Sequence, residues 1–483
     1  MTGMIGVLLA LGLLIYLAYR GVSVLLLGPA MALVAALFAA GTPLLATYTQ
    51  VFMSSAGGFI VQFFPLFLLG AIFGKLMDDS GAAEAIAHGI VGKLGEQRAI
   101  LAVVLACAVL TYGGVSLFVV AFAVYPIAAA LFRQAGIPKR LIPATIALGA
   151  FTFTMTALPG TPAIQNAIPM PYFSTTPFAA PVLGIIAALV MFGLGQWWLS
   201  RQATRAQRAG EGYGQHDDAT PAFDRDQRER SSGEGFDVLM VAPEEPARSL
   251  PSFAVAIAPV MLVIVLNYVF SAIVIPALDT AYLAEARYGA TTLDSVRGVW
   301  AIICSLTVAC VLLLTMTWTR LAAPRRSLDD GANAAVLPIF NTASLVGFGA
   351  VIAALPAFDL IKTFVESIGG GNPLVSLALS VNVLAGVTGS ASGGMSIALQ
   401  TLGADYLAMA EVAGIAPELL HRVTTVATGG LDSLPHNGAV VTLLAICGLT
   451  HREAYKDIFM VAALFPIIAL VLLVVLGSLF GAF

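Results

Sequence analysis

The most chemically varied short stretch of this 483-residue sequence is "DSLPHNG", residues 432–438, which interrupts a long apolar run. It brings together a carboxylate (Asp432), a hydroxyl (Ser433), an imidazole (His436) and an amide (Asn437). An ionisable side chain within an apolar run is energetically costly at membrane depth, so its presence indicates a function. Histidine titrates near neutral pH, and burial raises the pKa of a carboxylate toward that range. We therefore predict that Asp432 or His436 carries a proton, with Asp432 slightly favoured.

A second apolar run is interrupted by "TALPGTP", residues 156–162. Prolines end helices, because each removes an N–H donor and clashes with the preceding turn. We name 156–162 break 1 and 432–438 break 2. A helix that restarts inside a membrane presents unpaired N–H groups and a partial positive charge, which suit an anion. We predict that Thr161 caps the helix that restarts after break 1, with Pro162 at the first helical position. We predict that Asn437 caps the helix that restarts after break 2.

The cluster at break 2 also raises the possibility of enzymatic chemistry. Ser433, His436 and Asp432 are the residue types of an acyl-transfer site. However, the sequence contains no nucleophile elbow, no pair of residues at metal-ligand spacing and no cofactor motif, and its four cysteines all lie inside apolar runs. We therefore expect a protein that is not an enzyme, without a cofactor, a metal site or a nucleic-acid partner.

The composition shows the surroundings in which these residues must work. Hydrophobic residues make up 59% of the chain and charged residues 10%, and the mean hydropathy is +0.93. A soluble domain carries roughly 25% charged residues. Apolar runs recur along the whole chain, so the sequence predicts an all-α polytopic membrane protein. Because the first residues lack a basic segment and a cleavage site, we expect them to be retained.

The apolar runs predict ten membrane spans. These spans are 4–19, 22–40, 57–78, 141–172, 178–199, 253–276, 298–318, 333–354, 415–448 and 457–481. Two further stretches, 99–133 and 373–411, are too short for two spans each and are interrupted by "TYGGVS" and "GVTGSASGG". We predict that they are re-entrant helical hairpins, named hairpin 1 and hairpin 2, because irregular backbone at membrane depth must be covered by protein or line a cavity.

The two halves of the chain follow the same plan. Each has three spans, an amphipathic link (79–98 or 355–372), a hairpin, a broken span and a final span. We predict a first membrane repeat at 1–199, a charged cytoplasmic linker at 200–250 and a second membrane repeat at 251–483. Each half has an odd number of spans, so the second repeat is inverted. Inverted repeats with discontinuous helices are typical of secondary transporters.

The distribution of basic residues predicts the orientation. With the N-terminus outside, 19 of the 23 lysines and arginines lie on the cytoplasmic side, as the positive-inside rule requires. The exceptions, which we place outside or near the outer surface, are Arg287, Arg297, Lys362 and Arg422. Hairpin 1 then enters from the cytoplasm and hairpin 2 from outside.

Two segments resemble the gluconate permease (GntP) family of the ion transporter superfamily. They are "LTYGGVSLFVVAFAVYPIAAALFRQAGIPKRLIPATIALGAFTFTMTALPGTPAIQ" (110–165) and "RVTTVATGGLDSLPHNGAVVTLLAICGL" (422–449). The resemblance implies proton-coupled uptake of a small organic acid, such as gluconate or a hydroxybutyrate, across the bacterial inner (cytoplasmic) membrane. It also implies a homodimer with elevator-like movement of the hairpin domain. The Ser-Asn-Thr tips of sodium-coupled dicarboxylate relatives are absent, so dicarboxylate specificity is not expected.

Candidate substrate-binding residues are the polar and glycine residues at the hairpin tips and breaks. They are Thr111, Gly113, Gly114 and Ser116 at hairpin 1; Thr156, Gly160, Thr161 and Asn166 around break 1; Thr388, Ser390, Ser392 and Gly393 at hairpin 2; and Ser433 and Asn437 at break 2. Ser116 is the candidate first residue for the second arm of hairpin 1, and Ser390 or Ser392 for that of hairpin 2. We expect all four helix starts to converge on one cavity.

Other transporters remain as alternatives. A cation/proton antiporter of the same superfamily would need more intramembrane carboxylates than Asp432 alone. A sodium-coupled carboxylate carrier differs in the coupling ion, and a channel is at odds with the two opposed hairpins.

Overall fold

The computed structural model describes residues 2–20, 22–216, 237, 249–368 and 371–483. In this part of the chain the regular structure is helical and contains no strand. The protein is thus an all-α polytopic membrane protein, as the composition predicted. The helices are α1 (Thr2–Tyr19), α2 (Val24–Leu37), α3 (Leu44–Asp79), α4 (Ala82–Leu94), α5 (Ala99–Tyr112), α6 (Leu117–Gln134), α7 (Ile142–Ala150), α8 (Phe153–Thr156), α9 (Ile164–Ala167), α10 (Pro169–Phe173), α11 (Pro181–Arg208), α12 (Phe253–Ala277), α13 (Leu293–Thr317), α14 (Pro324–Ala354), α15 (Phe358–Ser367), α16 (Pro373–Thr388), α17 (Ala391–Val412), α18 (Pro417–Thr428), α19 (Gly438–Ile446) and α20 (His451–Phe480).

Most predicted spans are continuous helices. Among the described residues, seven helices are long and apolar enough to cross a membrane. Six of them are predicted spans, namely α3, α11, α12, α13, α14 and α20, and the seventh, α6, is an arm of hairpin 1. Helices α1 and α2 are apolar but shorter. The two remaining predicted spans are the broken ones.

Both predicted hairpins are present. Helices α5 and α6 form hairpin 1, and α16 and α17 form hairpin 2. Each turn contains a glycine in the left-handed region, Gly114 with φ +94° and Gly389 with φ +62°, a conformation that only glycine adopts readily. The predicted link before hairpin 1 is helix α4, whose axis is bent by 104° from that of the following hairpin arm.

Each broken span is divided into short helices. The span that contains break 1 consists of α7, α8, α9 and α10, and the span that contains break 2 consists of α18 and α19. Gly160 in break 1 has φ +83°, and its N–H donates to the carbonyl of Pro177 at 2.8 Å. The backbone therefore turns away from the helix axis where the sequence predicted a break.

The third spans of the two halves run antiparallel. Helix α3 packs along α14, so that Phe52 near the start of α3 lies beside Gly347 near the end of α14. At the other end of the pair, Ile72 lies beside Gly331. The glycines allow this close approach because they carry no side chain. Equivalent spans in opposite directions are what inverted repeats require.

The last spans of the two halves are also antiparallel. The N–H of Val182, at the start of α11, donates to the carbonyl of Phe483, just after α20, at 3.1 Å. Toward the other end, the indole ring of Trp198 meets the ring of Phe465 edge-on, with centroids 6.5 Å apart. The same geometry in two pairs of equivalent spans supports the predicted inversion.

The first part of the predicted linker at 200–250 is helical and packed against the membrane repeat. Helix α11 continues to Arg208, and Tyr213 is buried. The guanidinium of Arg140 donates two hydrogen bonds to the carboxylate of Glu211, at 2.7 and 3.0 Å, and thereby lowers the pKa of that carboxyl. These contacts attach the first part of the linker to the start of the span with break 1. The rest of the predicted linker, apart from 237 and 249–250, lies outside the described residues.

The predicted orientation can be tested by cysteine labelling. Gln207 at the end of α11 and Ala286 between α12 and α13 are both exposed. In intact cells an impermeant maleimide is expected to label Ala286→Cys but not Gln207→Cys, which should react only after permeabilisation. The unmodified chain, whose four cysteines include three buried ones, serves as the background control. Labelling of both positions from one side would rule out the inverted arrangement.

Candidate functional site

The tip of hairpin 1 and break 1 enclose a cavity of about 70 Å³ beside α3. Gly70 and Ala71 of α3, Thr111 and Ser116 of hairpin 1, and Gln165 after break 1 are among its lining residues. The lining includes no charged side chain from the described part of the chain. A small polar ligand held here would therefore meet hydroxyl, amide and backbone groups.

Two hydroxyls in this cavity have no hydrogen-bond partner among the described residues. Thr111 Oγ1 and Ser116 Oγ are buried and form no hydrogen bond with any described residue. Ser116 occupies the N-cap position of the 18-residue helix α6, as predicted, yet its side chain does not cap the helix. A helix start leaves four N–H groups without intrahelical partners. The Ser116 hydroxyl and the first N–H groups of α6 are thus left without a partner within the helix start.

The prediction for Thr161 is wrong. The helix after break 1 begins at Ile164 with Ala163 at the N-cap position. Thr161 Oγ1 only accepts a 3.3 Å hydrogen bond from the N–H of Ala163. The bond from Gly160 to the carbonyl of Pro177 turns the chain before Pro162, so helical geometry resumes later than the sequence suggested. The helices that follow, α9 and α10, have four and five residues.

The prediction for Asn437 is confirmed. Its side-chain oxygen accepts hydrogen bonds from the N–H groups of Ala439 at 2.7 Å and Val440 at 3.1 Å, and so caps α19. Its Nδ2 donates to the carbonyl of Gly389 at 2.8 Å. Asn437 therefore both starts the helix after break 2 and attaches it to the tip of hairpin 2.

The candidate hydroxyls of hairpin 2 are used inside the hairpin. Ser390 accepts a hydrogen bond from the N–H of Gly393 at 3.1 Å and caps α17. Thr388 Oγ1 donates to the carbonyl of Leu384 at 2.8 Å, and Ser392 Oγ lies 3.4 Å from Ser390 Oγ. The cavity at hairpin 1 is lined by two of the four predicted helix starts, and convergence of all four stays a prediction. Hairpin 2 packs with break 2 as a second cluster, outside the lining of the cavity at hairpin 1.

The two predicted proton carriers lie in this second cluster. The Asp432 side chain is largely buried and accepts a hydrogen bond from Ser433 Oγ at 3.1 Å. His436 Nε2 lies 2.9 Å from the carbonyl oxygen of Gly386 in hairpin 2. Because a carbonyl only accepts, Nε2 carries a proton in this arrangement.

Hairpin 1 and break 1 form the first cluster, and the other candidate residues around it have structural partners. Asn166 uses its whole amide: Nδ2 donates to the carbonyls of Thr161 at 2.9 Å and Pro177 at 3.1 Å, and Oδ1 contacts two side chains of α18. Gly160 accepts a 2.9 Å hydrogen bond from Nδ2 of Asn267, and Gly113 packs against α12. We assign these residues to the positioning of break 1 and hairpin 1.

The sequence analysis missed the two side chains that contact Asn166 Oδ1, which are His421 and Arg422. Arg422 was expected at or near the outer surface, but both residues are fully buried. His421 lies 2.6 Å from the hydroxyl of Thr175 through Nδ1. Arginine beside histidine within a predicted span was the available signal, because ionisable residues at membrane depth are functional candidates.

The two clusters meet where the broken spans cross. Thr156, at the start of break 1, lies directly beside Gly429 at the end of α18. The Thr156 hydroxyl donates to the carbonyl of Thr152 at 3.1 Å. The two broken spans are therefore in direct contact at this point.

Comparisons with known proteins agree with this architecture. No family model matches the chain. It is 44% identical over 482 residues to a Bacillus subtilis (strain 168) protein named uncharacterized transporter YxjC, covering 96% of this chain and 98% of that protein. It is also 34% identical over 146 residues, 30% of this chain and 33% of the other, to an uncharacterized transporter of Haemophilus influenzae.

Two solved transporter structures share the fold. One is MtrF of Neisseria gonorrhoeae, described as illuminating a class of antimetabolite efflux pumps, with a TM-score of 0.53, 12% identity, and coverage of 91% of this chain and 84% of MtrF. The other is the YdaH transporter of Alcanivorax borkumensis, with a TM-score of 0.54, 14% identity, and coverage of 97% and 98%. At these identities the likeness concerns the fold alone.

The different contacts of the two predicted caps lead to a stability test. Asn437→Ala removes two capping bonds and the bond to Gly389, so it is expected to destabilise the protein by about 0.5–2 kcal/mol. Thr161→Ala removes one long bond and should have a smaller effect. Thermal melting of both variants in detergent checks this order. Equal melting temperatures for the two variants would contradict it.

Proposed function

The chain belongs to the transporter family of YxjC, and from that premise we propose that it is a proton-coupled secondary transporter for a small organic acid anion. The resemblance of 110–165 and 422–449 to gluconate permeases supports gluconate or a hydroxybutyrate as the substrate and uptake as the direction. The same resemblance supports the bacterial inner membrane as the location and a homodimer as the assembly.

The observation that carries the proposal is the cavity at hairpin 1. It combines two buried hydroxyls that bond to no residue in the described part of the chain, Thr111 and Ser116, with the uncapped start of the 18-residue helix α6. Unpaired polar atoms that are buried are costly unless a ligand or water completes them. A carboxylate would accept hydrogen bonds from both hydroxyls and from the helix N–H groups, and the helix dipole would favour its negative charge.

The uncharged lining of this cavity favours an anion carrier over a cation/proton antiporter. Cations are usually held by carboxylates or by rings of carbonyl oxygens. The cavity instead presents hydroxyl groups and a helix N-terminus, which are the groups that bind anions. Sodium coupling remains distinguishable by experiment, because it predicts accumulation driven by a sodium gradient alone.

Proton coupling is assigned to break 2. A symporter needs a group that changes protonation during the cycle, and Asp432 and His436 lie beside the contact between break 2 and hairpin 2. The crossing of Thr156 and Gly429 connects this cluster to the cavity at hairpin 1. We propose that Asp432 or His436 takes up the proton, with Asp432 favoured because its side chain is largely buried.

The role of the cavity can be tested with isosteric variants. Thr111→Val and Ser116→Ala remove hydroxyls that bond to no described residue, so stability should be unchanged or higher. If these hydroxyls bind the carboxylate, the KM for gluconate or 3-hydroxybutyrate uptake in proteoliposomes should rise about tenfold, which corresponds to one lost hydrogen bond to a charged group.

The matched control is Thr442→Val. Thr442 Oγ1 is also buried and has no partner among the described residues, but it lies in α19, outside the cavity lining. The uptake kinetics of the Thr442→Val variant should match those of the wild type. Wild-type KM values in Thr111→Val and Ser116→Ala would remove the cavity as the substrate site.

The proton-coupling assignment predicts a separation of two activities. Asp432→Asn should abolish accumulation driven by a proton gradient but preserve exchange of labelled for unlabelled substrate. The reason is that an asparagine side chain cannot take up and release a proton during the transport cycle. Asp405→Asn is the matched control, since Asp405 pairs with Lys362 at 2.6 Å away from the breaks. If Asp432→Asn and His436→Gln both still concentrate substrate, neither residue carries the proton.

A further inference from the structure

The most unusual buried group is the guanidinium of Arg422, which is fully buried on α18. It donates to the carbonyl of Ala179 through Nε at 3.0 Å and Nη2 at 2.7 Å. Longer bonds, at 3.3 to 3.4 Å, run to the carbonyls of Pro177 and Thr156 and to Oδ1 of Asn166. These five bonds occupy the five N–H donors of an arginine.

Every one of these acceptors is neutral. None of the ion pairs found among the described residues includes Arg422. Arginine remains protonated inside proteins, so this side chain places a full positive charge in the interior. A buried charge is costly unless it is paired, and carbonyl dipoles compensate it only in part. Among the described residues, Arg422 therefore has hydrogen-bond acceptors but no charged partner.

Arg422 is connected to the cavity at hairpin 1 through two of its acceptors. Two of the acceptors, Thr156 and Asn166, are the chain neighbours of Met155 and Gln165, which line the cavity. Arg422 is therefore bonded to two residues that are adjacent in the chain to residues of the cavity lining. It cannot bind the ligand directly, since its donors are occupied, but it can act through space because Coulomb interactions extend further in protein than in water.

We propose that Arg422 is the residue that makes the cavity select negatively charged substrates. The inference rests on the proposed function, because it takes the cavity at hairpin 1 as the substrate site. Arg422 acts as a positioning residue for break 1 through its carbonyl partners, and its unpaired charge favours a carboxylate over a neutral ligand of the same shape. A substrate carboxylate in the cavity supplies the counter-charge that the described residues lack.

The experiment measures the preference for charge rather than affinity alone. The purified full-length protein is titrated calorimetrically with gluconate and 3-hydroxybutyrate and with the neutral primary amide of each acid. The wild type should bind each anion about tenfold more tightly than its amide, because a positive charge in the protein interior, where the effective dielectric constant is about 20, favours a negatively charged ligand. Arg422→Lys keeps the charge and should keep this ratio, even with weaker binding overall.

Two variants remove the charge in different ways. Arg422→Gln deletes it. Asn166→Asp retains the arginine and places a carboxylate at the 3.3 Å contact with Nη1, so it neutralises the charge, and it also removes the two hydrogen bonds that Nδ2 donates to the carbonyls of Thr161 and Pro177. In both, the ratio of anion to amide affinity should fall toward one. Thermal melting and size-exclusion chromatography confirm the folded state.

The outcomes separate this inference from the proposed function. If the wild type binds neither acid, the proposed substrate class is wrong and the inference falls with it. If the wild type binds the acids and either folded charge-removing variant keeps the wild-type ratio, Arg422 is only structural and this inference alone is wrong. A ratio near one in the wild type overturns the inference in the same way.

Discussion

Inside a bilayer, every backbone N–H and C=O group released by a helix break must find a partner in the protein, because no bulk water is present to bind it. The arrangement of this protein depends on how break 1 meets that requirement. The hydroxyl of Tyr112, in hairpin 1, donates to the carbonyl of Pro159 at 2.7 Å. Nδ2 of Asn267, in α12 of the second half, donates to the carbonyl of Gly160. Break 1 is therefore completed by its own hairpin and by the opposite half of the chain.

Break 2 meets the same requirement with different residues. The carbonyl of Pro435 accepts a hydrogen bond from His451 Nε2 at 2.8 Å, and the carbonyl of Ser433 accepts one from the hydroxyl of Tyr455 at 3.1 Å. Both donors lie in the first turns of α20. Since each break is tied to particular side chains, a shift of a hairpin or of a last span changes the hydrogen bonding of the break. This coupling gives a transporter a physical means of linking movement to occupancy.

The two halves share an architecture but differ in their polar chemistry. Ser116 in hairpin 1 leaves its hydroxyl without an internal partner, whereas Ser390 in hairpin 2 caps its helix. After the breaks, Asn437 caps α19, while no side chain caps α9. The first cluster therefore retains unused hydrogen-bonding groups, and the second contains the ionisable pair of our proposal. Such a division suits a carrier in which substrate and proton bind at separate but connected places.

The sequence by itself determined the polytopic class, the hairpins, the places of both breaks and the cap at Asn437. These features follow from local chemistry: apolar run length, the missing N–H of proline, the left-handed freedom of glycine, and the short reach of an asparagine to its own helix. Only the tertiary structure decided that Arg422 is buried beside break 1 and that every hydrogen-bonding group of the Asn166 amide has a partner. It also decided that the hydroxyls of Thr111 and Ser116 have no partner among the described residues. Those outcomes depend on residues far apart in the chain, and the contact between Arg422 and Thr156 joins positions 266 residues apart. The hydrogen-bonding capacity of a side chain can be read from a sequence, but whether it is used depends on what folding places beside it.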